Sequence, residues 1–122
     1  MENSSTTFLY VSNSGGNNIS AHSVDTTTGV LTPLASSPFS AENNPQAMVV
    51  NASGSVAFVS NAGSASVSGY LLDSGTGFLT PASVTPFPAG ITPQTLTLEP
   101  FEKFAFVANA GNVGVGANTV SV

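Results

Sequence analysis

The chain contains no cysteine, no tryptophan and no arginine, and Lys103 is its only lysine. Charged residues make up 6% of the sequence, against roughly 25% in typical soluble domains. Without cysteine, disulfides, thiolate zinc sites and thiol catalysis are excluded. Without a cluster of Lys or Arg, the chain cannot neutralise the phosphates of nucleic acid or bind an anionic membrane surface. We therefore expect neither nucleic acid nor a membrane as a partner.

Long hydrophobic runs are also missing. No stretch of ~18 apolar residues is present that could cross a membrane as a helix. Residues 1–5 lack the basic region and the apolar stretch of a signal peptide. Apolar residues nevertheless make up 41% of the chain, which predicts a folded core. The low charge, with abundant Ser, Thr and Asn, fits an exported protein.

The sequence repeats itself with a period of 48 residues. Asn13, Asn61 and Asn109 close three copies of one apolar segment. An ungapped alignment of residues 7–54 with residues 55–102 is identical at 16 of 48 positions. We therefore divide the chain 1–122 into repeat one (7–54), repeat two (55–102) and a truncated repeat three (103–122).

The repeat predicts four short strands and no helix, at residues 47–51 (95–99 in the next copy), 56–61, 66–72 and 78–85. Pro81 lies in the last of these, and because proline cannot donate to a ladder, that strand belongs at a sheet edge. A four-stranded antiparallel unit that recurs every 40–50 residues is typical of a β-propeller blade. A β-solenoid or a stacked sandwich is the alternative, although solenoid coils are usually shorter, roughly 20–30 residues. The predicted fold class is all-β, an incomplete β-propeller fragment.

Two segments also suggest a family. Residues 10–13 (Tyr-Val-Ser-Asn) and 58–61 (Phe-Val-Ser-Asn), each followed by a strand, an Asp, Thr-Gly and Leu-Thr-Pro, resemble the YVTN-type repeat. That repeat occurs in seven-bladed propellers of the lactonase (6-phosphogluconolactonase-like) superfamily and in surface-layer proteins. The resemblance spans residues 7–122 and implies that the strands starting at Gln46 and Gln94 line the central channel. Members of the lactonase family often have Pro-His where this sequence has Pro-Gln. The glutamine has no titratable group, so the comparison argues against lactonase activity.

Few side chains are candidates for catalysis or metal binding. His22 aligns with Tyr70 in the third strand of a blade, away from the channel, so a structural role explains it better than a role as general base. Asp25 and Asp73 each precede a glycine by four residues, which a tight turn requires and a metal site does not. We therefore expect no catalytic residue, no metal site and no cofactor.

The amides at strand ends divide into two groups. Asn13, Asn61 and Asn109 close strands, and we interpret them as structural residues that tie the following loop. Gln46 and Gln94 would lie at the channel mouth, where neutral amides suit hydrogen bonds to a polar ligand. These two glutamines are the candidate ligand-binding residues, although they are also placed to satisfy neighbouring backbone groups.

Two function classes remain open. A non-catalytic propeller module for assembly or binding is favoured by the low charge and the absence of arginine. A truncated lactonase-like hydrolase is implied by the resemblance alone. Because a closed propeller needs about four to eight blades, either the chain is a piece of a larger propeller or several copies complete the ring. We expect self-association into a homo-oligomer, a dimer in preference to a trimer. Its contacts would involve exposed apolar faces carrying Phe8 and Tyr10 at one end and Val120 and Val122 at the other.

Overall fold

The computed structural model describes residues 7–51, 54–73, 75–82, 87–98, 105–110 and 119–121, which form three antiparallel sheets. Blade 1 contains β1 Thr7–Asn13, β2 Asn18–Val24, β3 Leu31–Pro33 and β4 Phe39–Ser40. Blade 2 contains β5 Pro45–Val50, β6 Val56–Asn61, β7 Ser66–Leu72, β8 Leu79–Pro81 and β9 Phe87–Pro88. Blade 3 contains, within the described ranges, β10 Pro93–Leu98, β11 Ala105–Asn109 and β12 Thr119–Ser121.

The blades have the same topology. The order in blade 2 is β5-β6-β7-β8, and the short β9 also pairs with β7. Blade 1 repeats this arrangement, because β2 pairs with β3 along one half of its outer edge and with β4 along the other. Across all the ranges given above there is no helix, and hence none long and apolar enough to cross a membrane. The prediction of an all-β fold built from antiparallel blades is confirmed.

The predicted strands differ from the observed ones mainly at their ends. The inner strand of blade 2 begins at Pro45, two residues before its predicted start, because Pro45 already pairs with Asn61. The outer strand is only three residues long and ends at Pro81, at the sheet edge as the proline predicted. Residues 83–85 of the predicted outer strand and Glu99, the predicted end of the next inner strand, lie outside the described residues.

The core lies between the blades. Strands alternate their side chains between two faces, so Ala57 and Val59 of β6 pack towards blade 1 whereas Phe58 packs towards blade 3. The first cluster joins blades 1 and 2 through seven buried residues, Ile19, Ala21, Phe39, Ala57, Val59, Tyr70 and Leu79. The second joins blades 2 and 3 through Val67, Leu96 and Val107. The inner strand β5 lies against both β1 and β10, so neighbouring sheets pack closely at their inner edges.

One face of blade 1 differs from the prediction. Phe8 and Tyr10 were predicted on an exposed end face, and this was wrong. Both turn towards blade 2, where the Tyr10 hydroxyl donates to the Gly77 carbonyl at 2.7 Å and the Phe8 ring lies beside Gly77. The outward face instead carries Leu9 and Val11, which are 39% and 43% exposed. The side chains of Val120 and Val122 lie outside the described part of the chain.

Candidate functional site

The inner strands β5 and β10 each begin with Pro-Gln. Pro45 and Pro93 are fully buried, while the glutamines that follow them, Gln46 and Gln94, are exposed. Each buried proline therefore anchors the start of its strand, and the side chain of the following glutamine points outward. The structure places the two glutamines at equivalent positions of neighbouring inner strands.

Each glutamine is also the extra residue of a β-bulge. In blade 2, the register shifts by one residue between Pro45 and Ala47, and Gln46 is left without a partner on β6. In blade 3, Gln94 is skipped in the same way between Pro93 and Thr95. A bulge bends the strand and re-aims the side chain of the extra residue, and bulges are common beside binding sites.

A serine hydroxyl holds each bulge from the neighbouring blade. The Ser60 hydroxyl accepts a hydrogen bond from the Ala47 amide at 3.2 Å and donates to the Gln94 carbonyl at 3.3 Å. Ser12 donates to the Gln46 carbonyl at 3.1 Å in the same way. Sequence analysis missed this role of the serines. The signal was present, because a serine precedes the strand-closing asparagine in repeats one and two.

The two glutamines have different surroundings. The Gln46 side-chain amide donates to Asn44 Oδ1 at 2.7 Å, and the Asn44 backbone amide donates in turn to Asn17 Oδ1 at 2.8 Å. In the next blade the position of Asn44 is taken by Thr92. Thr92 keeps the positive φ, +54° against +56° for Asn44, but it has no side-chain amide. Gln46 is thus oriented by a neighbouring side chain that Gln94 lacks.

The described side chains around Gln46 and Gln94 are uncharged. They offer amides and hydroxyls, namely those of Ser12, Asn44, Gln46, Thr92 and Gln94. No group of three His, Cys, Asp or Glu side chains that could hold a metal ion occurs in the described ranges. Amides and hydroxyls both donate and accept hydrogen bonds, so the arrangement suits an uncharged polar ligand.

The structure places His22 elsewhere. It lies on β2, between Leu9 and Pro33 of the neighbouring strands, and is partly exposed. Its Nδ1 atom is buried without a hydrogen-bond partner. No carboxylate contacts it within the described residues, so it lacks the orienting partner that a general base usually has.

Asp25 and Asp73 close turns, as predicted. Asp25 Oδ1 accepts hydrogen bonds from the amides of Thr27 and Thr28 at 2.9 and 3.2 Å, and its carbonyl accepts from Gly29. These backbone amides hold the pKa of the exposed Asp25 carboxyl below its usual value. Asp73 makes the same contacts in blade 2.

The strand-closing asparagines are structural, as predicted. The Asn13 amide donates to the Ser20 hydroxyl at 2.7 Å, and the fully buried Asn61 amide donates to the Ser68 hydroxyl at 2.9 Å. Each bond crosses from one strand to the next and ties the hairpin between them. Asn13 and Asn61 therefore stabilise the hairpins of their blades.

Antiparallel sheets of three to five strands that stack face to face and recur every 48 residues are the blades of a β-propeller. The sequence profile of one family, Lactonase, 7-bladed beta-propeller, matches residues 3–90. The chain belongs to this lactonase family. Among curated proteins, none matches the sequence significantly.

Solved structures are similar over most of this chain. A candidate 6-phosphogluconolactonase from Bacteroides fragilis matches with a TM-score of 0.75 and 23% identity over 84% of the chain. The periplasmic gluconolactonase of Pseudomonas aeruginosa matches with a TM-score of 0.74 and 19% identity, also over 84%. Hydrazine synthase of Kuenenia stuttgartiensis matches with a TM-score of 0.67 and 26% identity over 88%.

These matches cover only 29%, 30% and 26% of the solved chains. The present chain therefore spans less than a third of their length. The likeness concerns the fold, and proteins with quite different names share it. Fold alone does not assign an activity.

Proposed function

We propose that this chain supplies blades of a lactonase-type propeller and binds an uncharged polyhydroxy ligand, without catalysis, through Gln46 and Gln94. The observation that carries the proposal is the repeated bulge, which turns one glutamine outward at the same point of two neighbouring inner strands. A bulge weakens strand pairing, so its recurrence, held each time by a serine from the neighbouring blade, favours a role in presenting the amide.

The ligand class follows from the side chains and from the family. Amides and hydroxyls form hydrogen bonds with sugar-like hydroxyl groups, and the side chains around the two bulges, those of Ser12, Asn44, Gln46, Thr92 and Gln94, are uncharged. One of the similar solved proteins is named for 6-phosphogluconolactone and another for gluconolactone, and both compounds are polyhydroxy lactones. The chain has no arginine for the paired hydrogen bonds that phosphate favours, which supports an unphosphorylated ligand.

Lactone hydrolysis is the second candidate, and family membership is the observation that favours it. A hydrolase needs a group that activates water or the lactone carbonyl. Gln46 and Gln94 offer neutral amides instead, and His22 lies on β2, paired with Leu9 and Pro33. We therefore place binding ahead of hydrolysis for these residues.

The stable probe for binding is 1,5-anhydro-D-glucitol, a neutral polyhydroxy ring that cannot be hydrolysed. Isothermal titration should detect its binding, and Gln94→Ala should weaken that binding at least fivefold. His22→Ala is the matched control and should stay within about twofold, as expected for a residue remote from the site. Unchanged binding in Gln94→Ala, or a tenfold loss in His22→Ala, would contradict the proposed site.

Hydrolysis is measured separately with D-glucono-1,5-lactone in a pH-stat. We expect the proton release to equal the spontaneous rate. Acceleration that scales with protein concentration and is lost in His22→Ala or Gln94→Ala would show catalysis and replace the binding proposal with the hydrolase.

Self-association is part of the proposal. Leu9 and Val11 are 39% and 43% exposed, whereas Ala57 and Val59, their counterparts 48 residues later, are fully buried beneath blade 1. A second copy of the chain would cover Leu9 and Val11 as blade 1 covers Ala57 and Val59. This continuity with the packing between blades supports a homo-oligomer, for which we favour a dimer.

Light scattering after size exclusion tests the assembly. The chain should elute as a dimer, and Val11→Ser should shift it towards the monomer. Leu31→Ser, which alters a residue 46% exposed at the outer edge of blade 1, is the control and should leave the mass unchanged. A monodisperse monomer at micromolar concentration would contradict self-association.

A further inference from the structure

A cleft of about 220 Å³ lies between blades 1 and 2, and neither Gln46 nor Gln94 lines it. One wall is formed by residues 40–42, which begin at the last residue of β4, and the other by residues 68–70 of β7 with Pro81. The two blades meet here through the Tyr70 hydroxyl, which donates to the Ser40 carbonyl at 2.9 Å. The cleft is therefore built across a blade interface that a direct hydrogen bond holds in place.

The polar groups of the cleft are hydrogen-bond acceptors around one negative charge. Glu42 supplies the carboxylate, and it forms no ion pair or hydrogen bond with the described residues. Ser68 and Tyr70 add hydroxyl oxygens, each of which has two lone pairs. The Tyr70 hydroxyl is fixed by Ser40, and the Ser68 hydroxyl accepts from the buried Asn61 amide at 2.9 Å.

Burial raises the pKa of Tyr70, the Ser68 hydroxyl opposes this shift through a side-chain hydrogen bond, and the nearby Glu42 carboxylate adds to the rise. Tyr70 and Glu42 are therefore close enough to interact electrostatically. Apolar surface completes the walls, from Ala41, Gly69 and Pro81. In the next blade the position of Glu42 is taken by Gly90, so the charge belongs to this blade interface in particular.

We infer that the cleft between residues 40–42 and 68–70 binds a primary alkylammonium group, with Glu42 as its counter-ion. A carboxylate and neutral oxygens accept the three N–H bonds that an ammonium donates, and the apolar walls accommodate a short alkyl chain. An anion would be repelled by Glu42 and by the formal net charge of −5. Calcium takes six to eight oxygen ligands, often from several carboxylates, whereas the described lining of the cleft contains one carboxylate, that of Glu42.

This inference is independent of the proposed function, because it rests on neither Gln46 nor Gln94. The test is a titration of the chain with n-butylammonium chloride at pH 7 and constant ionic strength, followed by amide NMR. We expect saturable shifts at Ala41 and Gly69. For a ligand of five heavy atoms, a dissociation constant of about 1 mM or weaker is expected.

Glu42→Gln should weaken binding at least fivefold, because it removes the charge and keeps the shape. Asp25→Asn is the matched control: it removes one negative charge at an exposed turn, and binding should stay within about twofold. An equal loss in both variants would reduce the effect to net charge and overturn the inference.

Two comparison ligands complete the test. n-Butanol has the same alkyl chain without the charge, and it should shift the same amides at least fivefold more weakly. Binding of butanol equal to that of butylammonium, saturation of the same amides by calcium chloride at lower concentration, or shifts that do not saturate would each overturn an alkylammonium site.

Discussion

Ser60 and Gln94 lie in different blades, and the Ser60 hydroxyl donates to the Gln94 carbonyl at 3.3 Å. The same hydroxyl accepts from the Ala47 amide, so one buried oxygen joins the inner strand of blade 2 to that of blade 3. Ser12 makes the corresponding bond to Gln46. In blade 3 the position is taken by Ala108, which has no hydroxyl to continue the series.

Replacing Ser60 should therefore destabilise the fold. Ser60→Ala removes the acceptor of the Ala47 amide and the donor to Gln94 inside a fully buried site, which costs about 1–3 kcal/mol. Urea unfolding measures the loss. Ser12→Ala is the comparison, and because Ser12 is only half-buried, water replaces part of its bond and the loss should be under about 1 kcal/mol. Equal losses in the two variants would show that burial does not decide how much each serine hydrogen bond contributes to stability.

A comparison of alanine variants at Gly77 and Gly29 separates the cost of backbone strain from the cost of steric crowding by a Cβ atom. Both glycines have positive φ, +77° and +79°, and alanine at such a position costs about 1–2 kcal/mol. A Cβ at Gly29 would meet nothing within 4 Å, whereas one at Gly77 would lie 2.7 Å from the Phe8 ring. Gly77→Ala should therefore lose about 1–3 kcal/mol more than Gly29→Ala in urea unfolding. The same loss in both variants would contradict the close packing of Phe8 on Gly77.

The Asp25 carboxyl should titrate below the ordinary value of 3.8, because the amides of Thr27 and Thr28 stabilise its charged form. A depressed pKa contributes stability that is present above the unfolded-state pKa, about 3.9, and is lost as the pH falls through the folded-state pKa. Carboxyl ¹³C NMR measures the midpoint in the folded chain and again in concentrated urea. A folded-state midpoint at or above the unfolded one would rule out the turn contacts.

Both tyrosines should titrate above 10.0, since burial raises the pKa of Tyr10 and of Tyr70. Stability from these groups is present below pH ~10 and is lost as the pH rises through the folded-state pKa values. Absorbance at alkaline pH follows both groups, because the chain has two tyrosines. Tyr70→Phe isolates Tyr10, and Glu42→Gln should lower the Tyr70 midpoint. A midpoint at or below 10 for Tyr70 would contradict its burial.

Much of the fold was predictable because the features that determine it recur. Asp25 and Asp73 mark the same turn in both repeats, and Asn13 and Asn61 mark the same strand end. It was harder to predict which face of each strand packs against the neighbouring blade. Residues 8–11 are all apolar, so alternation indicates two faces without indicating which one meets blade 2.

The candidate site was predictable only in part. The recurrence of Pro-Gln identified Gln46 and Gln94, but the bulges depend on pairing with β6 and β11, which no local pattern reveals. The alkylammonium cleft was not predictable, because Glu42 and Tyr70 are 28 positions apart and belong to different blades. Only the stacking of the sheets brings them together.

The divided outer edge of the blades bears on solubility. In blade 1 the edge of β2 is covered by β3 over three residues and by β4 over two, and blade 2 repeats the arrangement. Proteins commonly protect exposed edges with lysine or other charges, which this sequence has in very small number. Here the rim strands are too short to serve as a template for another chain, so the geometry of the edge resists aggregation where charge would otherwise be needed.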